Sequence, residues 1–173
     1  MKKFRITVAS LPDREHLVSE IFYDHLQWVE ISQETGALVI DLYFYPQKPY
    51  WEFAYDEALK MLKCARNELL ELPDTDAGDE LYHSFAETIN SPEERARRED
   101  DANRFEILIT SSPEREQVFA EVYYNNMCWA QIFREENLLT LRFYPPPTEE
   151  YWRFSFDATL EILEQAKNAL LRR

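Results

Sequence analysis

The chain has 173 residues, enough for one ordinary domain or two small ones, and 14% of them are aromatic, enough to fill a core even in small lobes. Only two residues are Gly, which excludes a glycine-rich phosphate-cradling loop. The formal net charge of −14 disfavours nucleic acid and anionic membrane surfaces as partners and favours a basic protein.

The opening stretch, MKKFRITVASLPDREH, has no uninterrupted apolar run of signal-peptide type, and its FRITVAS alternation predicts a first strand. HLVSEIFYD and LQWVEISQ predict two strands around a tight turn at Asp24-His25, residue types that tolerate positive φ. ALVIDLYFY predicts a fourth strand, with Ile40, Leu42 and Phe44 on one face and Val39, Asp41, Tyr43 and Tyr45 on the other. Pro46 stops it. Trp51 and Phe53 read as a short extended lead-in to a helix capped by Asp56, whose stripe is Ala58, Leu62, Ala65 and Leu69.

Residues 73–103 are different in kind. They hold ten acidic and three basic side chains. DELYHSFAETI places Leu81, Phe85 and Ile89 near helical spacing, and SPEERARRED is a helix start with Ser91 as cap and Pro92 at the first position. One or two helices are expected here.

After the connector the first segment recurs. Phe4, Ile6, Ser10, Pro12, Glu20, Tyr23, Trp28 and Ile31 reappear 101 positions on as Phe105, Ile107, Ser111, Pro113, Glu121, Tyr124, Trp129 and Ile132. The FYP triplets align best if the turn after Glu34 is two residues shorter in the second copy and the next loop two longer, matching Leu42 to Leu141 and Phe44 to Phe143. Trp51, Phe53, Asp56 and Leu62 then return as Trp152, Phe154, Asp157 and Leu163. The expected class is α+β: two tandem four-stranded antiparallel meanders, each with one C-terminal helix on one face. Residues 1–72 form the first lobe, 73–103 an acidic, partly helical connector and 104–173 the second lobe.

No catalytic, cofactor-binding or metal-binding residues are assigned. His16, His25 and His83 share no ligand spacing. Cys64 and Cys128 lack a recognisable base, and two cysteines without a disulfide framework place the chain by default in a reducing cytoplasm. Glu20 and Glu121 would make a hydrolase only if the lobes held them a few Å apart in a cleft. The candidate partner-binding residues are Asp74, Asp76, Asp79 and Glu80 in the connector, whose charges could imitate a phosphate track, and Tyr43, Tyr45 and Tyr144 on the sheet face that the helix leaves uncovered.

EIFYDHLQWVEISQETG together with WEFAYDEALKMLKCARNELL resembles small bacterial immunity proteins of polymorphic (Rhs or contact-dependent) toxin systems. Trp28, Glu30, Ile31, Ser32, Gln33, Glu34, Gly36, Trp51, Phe53, Asp56, Leu59 and Ala65 carry the match. The second copy departs at IFREENL, where the Gly is lost. The resemblance implies toxin neutralisation by direct contact, without catalysis. No cofactor is expected, the charge speaks against nucleic acid and membrane, and a monomer or weak homodimer is the expected state. A scaffold or adaptor without a toxin partner is the alternative, and a hydrolase the third reading.

Overall fold

A computed structural model describes residues 3–33, 36–71, 91–113 and 117–173. The order is β1 (Phe4–Ala9), β2 (Val18–Tyr23), β3 (Leu26–Ser32), β4 (Val39–Tyr43), β5 (Trp51–Ala54), α1 (Tyr55–Glu71), α2 (Pro92–Arg104), β6 (Phe105–Ser112), β7 (Gln117–Tyr124), β8 (Met127–Glu135), β9 (Leu138–Phe143), β10 (Tyr151–Ser155) and α3 (Phe156–Leu171). The class is α+β, with two antiparallel five-stranded sheets ordered β1-β2-β3-β4-β10 and β5-β9-β8-β7-β6.

Local chemistry sets the hairpins. Asp24 and His25 take φ of 46° and 71°, and Asn125 and Asn126 take 49° and 65°, the positive-φ pairs a two-residue turn requires. Each following strand carries a bulge. Ile21 faces Val29 while Phe22 faces Gln27, and Val122 faces Ala130 while Tyr123 faces Cys128. The residues left over are Trp28 and Trp129, both fully buried.

Two expectations are corrected. The first concerns the fifth strands. Trp51–Ala54 and Tyr151–Ser155 are true strands, and each is hydrogen-bonded to the opposite half's sheet: β5 lies on β9 and β10 on β4. Their rings nevertheless return to their own half. Phe53 sits 4.6 Å from Trp28, and Phe154 4.9 Å from Trp129. The core faces of the two sheets therefore meet in one aromatic cluster, with the α1 stripe Ala58, Leu62, Ala65, Leu69 and the α3 stripe Leu163, Ala166, Leu170 packed into it.

The second correction concerns length changes. Glu30 faces Asp41 and Gln131 faces Arg142; Trp51 Nε1 donates to Tyr43 O and Trp152 Nε1 to Tyr144 O, both at 2.7 Å. A single offset of 101 thus runs through both halves, with no insertion or deletion. Leu42 corresponds to Phe143, and Asp41 to Arg142. The repeated FYP triplets lie two residues out of that register.

Charge explains why the strands exchange. Arg153 clamps the buried Asp41 through two hydrogen bonds of 2.8 Å. The equivalent positions in the other sheet carry Glu52 and Arg142, paired with reversed polarity (Nε to Oε2, 2.9 Å). If each strand paired within its own half, Glu52 would face Asp41 and Arg153 would face Arg142. Like charges directly opposite destabilise a ladder, so exchange is the favoured pairing.

Helix α2 begins as its sequence predicts. Ser91 Oγ accepts the Glu94 N–H at 3.0 Å, with Pro92 in the first turn. The caps of the long helices differ from expectation: Ser155, not Asp157, caps α3, its Oγ accepting from Ala158 N, while Asp56 and Asp157 lie in first turns.

Candidate interaction surface

The face of each sheet opposite the aromatic core carries a row of polar side chains. On the first sheet the register aligns Thr7, Glu20, Glu30, Asp41 and Arg153 in one row across five strands. Three carboxylates stand side by side, and two arginines balance them: Arg153 on Asp41, and Arg14, from the loop after β1, on Glu30 at 2.8 Å. Burial pushes the Glu30 carboxyl up, against the pull of Arg14; burial likewise raises Glu20, against Arg5. At the row's end the rings of Tyr43 and Tyr151 sit 5.2 Å apart. Burial, then Glu30 and Asp41, raise the Tyr43 phenol, which stays protonated.

The second sheet aligns Leu108, Glu121, Gln131, Arg142 and Glu52. Glu121 accepts from Tyr123 OH at 3.0 Å and Gln131 Nε2 at 3.4 Å, and Tyr144 OH donates to Gln131 at 3.2 Å. The Arg142 guanidinium lies 4.3 Å from the Tyr50 ring and 4.9 Å from the Phe133 ring. Burial pushes the Tyr123 phenol up to about 12, with Glu121 adding to it, and the Cys128 thiol up to about 11.

Between these faces the exchange loops 44–50 and 144–150 frame a groove of about 580 Å³, lined by Tyr43, Phe44, Tyr45, Lys48, Glu149 and Glu150 with three prolines. Tyr43 and Tyr45 therefore come together in one groove. Tyr144 instead joins the Gln131–Arg142 face, where it borders a second pocket. Asp74, Asp76, Asp79 and Glu80 lie outside the described residues. Glu20 and Glu121 stand on different sheets, each in its own row. Among the described residues no group of three His, Cys, Asp or Glu side chains is placed to hold a metal ion, and no helix is long and apolar enough to cross a membrane.

Arg14 and Arg153 were not singled out from the sequence, and Glu30 and Asp41 were named only for the resemblance and for a strand face. Two acids in the middle of otherwise apolar strands were the available signal, since a buried carboxylate needs a partner. The chain matches no family model, no curated protein and no solved structure.

Proposed function

We propose that this chain is a non-enzymatic binding protein that neutralises a basic protein toxin by direct contact, in the manner of a bacterial immunity protein. The observation that carries the reading is the surplus of negative charge, −14 over the chain, of which residues 73–103 hold half. The buried carboxylates of the described sheets and of α2 are already engaged. Asp41 is held by Arg153, Glu30 by Arg14, and Glu94 and Asp101 accept backbone N–H groups. A surplus of this size steers encounter with a cation-rich surface. The Tyr43–Tyr45 groove offers aromatic anchors beside Glu149 and Glu150.

The finer architecture belongs to the same proposal. The two halves descend from one duplicated strand-and-helix unit, folded as an internal dimer whose members trade their fifth strands. A scaffold role is the second reading, favoured by that interlocking of halves.

Coexpression with the product of the adjacent gene tests the proposal. Rescue of its toxicity, with a complex that weakens steeply as salt rises, is the expected result. A complex indifferent to salt, or no complex and no rescue, overturns it.

A further inference from the structure

Among the described residues, helix α2 covers a surface on the first half alone. Glu94 accepts the Leu38 N–H at 2.6 Å, Asp101 accepts the Ser155 N–H and the Tyr124 hydroxyl (2.9 Å), Arg97 reaches Arg153 O, and Ser91 Oγ donates to Gly36 O. Two carboxylates seven residues apart on one helix face thus satisfy the end of the exchanged strand β10 and the start of β4. Arg98 adds an ion pair to Glu161 of α3. Ala37, Leu38, Val39 and Ser155 are buried as a result.

The same surface exists on the other half, 101 positions away, and there no described helix covers it. Leu138 stands in place of Ala37 and is 69% exposed against 2%. Leu139 and Thr140 are half-buried and Ala54, the counterpart of Ser155, is exposed. Tyr23 takes the place of Tyr124, with rings placed alike: Tyr23 is 4.9 Å from Phe53, Tyr124 is 4.8 Å from Phe154. Two charges at the site are inverted and two keep their sign. Lys60 and Lys63 replace Glu161 and Glu164, and Lys3 replaces Arg104; Asp56 is retained, opposite Asp157.

We infer that this second surface, at the β5 edge and the start of β9, docks an acidic helix from a partner protein, in the pose that α2 takes on the first half. The register specifies that helix. It carries carboxylates at i and i+7 for the N–H groups of Leu139 and Ala54, and an arginine at i+3 for Glu52 O. At i+4, where α2 has Arg98, it carries an acid to meet Lys60. An apolar residue in its first turn covers Leu138. This inference stands apart from the toxin reading, because its partner element is acidic rather than basic.

The test uses the full-length protein and a lactam-bridged helical peptide of residues 91–104 carrying Glu93→Leu and Arg98→Glu, since an unconstrained peptide of this length is barely helical. Amide NMR shifts and a binding isotherm are recorded. Expected are saturable shifts at Ala54, Leu138 and Leu139, weakening at least tenfold with Leu138→Asp or with Lys60→Glu/Lys63→Glu, and loss of binding when the peptide also carries Glu94→Gln and Asp101→Asn. No saturable shift at millimolar peptide, or shifts unaffected by Leu138→Asp, overturns the inference. So does self-association of the chain through Leu138 that the peptide fails to displace, which would make a second copy the occupant.

Discussion

Reversing Arg153 to Glu puts the strand-exchange argument at risk. Asp41 is 1% exposed, and its only described cation is Arg153, held bidentate. Removing one partner of a buried pair costs about 3–5 kcal/mol, and Arg153 is about one-third exposed, which lowers the figure to roughly 2 kcal/mol. A carboxylate facing Asp41, with Glu30 next in the row, adds about 1 kcal/mol of repulsion. Arg153→Glu should therefore lose about 3 kcal/mol. With a urea slope of about 2–3 kcal/mol/M, the unfolding midpoint falls by about 1–1.5 M. The decisive variant is Asp41→Arg/Arg153→Glu, which installs in the first sheet the polarity that Arg142 and Glu52 already have in the second. It should recover at least half of the loss, helped by Glu30 beside the new arginine. A loss under about 0.5 kcal/mol for Arg153→Glu, or a double variant no more stable than the single, would refute the reasoning.

Burial raises the Glu20, Glu30 and Glu94 carboxyls above their unfolded values. The folded chain then binds more protons than the unfolded chain just above the ordinary carboxylate range, so their contribution is fullest below the unfolded pKa and is lost as pH rises through the folded one. The urea midpoint should increase as pH falls from neutral toward about 5, and Glu30→Gln/Glu94→Gln should flatten that rise; a midpoint that falls steadily on acidification contradicts it. Leu62→Ala deletes a fully buried side chain from the α1 stripe and should cost about 2–5 kcal/mol by the same assay, with a loss under 1 kcal/mol arguing against the packing. His25→Gly removes a Cβ at φ 71° and should stabilise by a few tenths to about 1 kcal/mol, read as a rise in Tm.

The hairpins and helix stripes were legible because their causes are local. Asp24-His25 and Asn125-Asn126 announce turns, and Ser91-Pro92 announces α2. The strand exchange was not legible. β5 has four residues, and its choice of β9 over β4 rests on Glu52 meeting Arg142, 90 positions away. The FYP triplet actively misled, since identity favoured an offset of 99 where the sheet register keeps 101. Of the candidate site, Tyr43 and Tyr45 were visible from alternation alone. The acids of the Glu30–Asp41 row were a signal, but their partners were not legible, because Arg153 lies 112 residues from Asp41. The open surface at Leu138 could only be recognised once α2 was seen covering its counterpart.

Cross-strand NOEs in the full-length chain test the interlocked halves most directly, since both the charge argument and the second docking surface depend on them. Contacts between backbone protons of Leu42 and Trp152, and of Leu141 and Phe53, are the expected result. Contacts of Phe53 with β4 and of Trp152 with β9 would place each fifth strand in its own half and contradict the account.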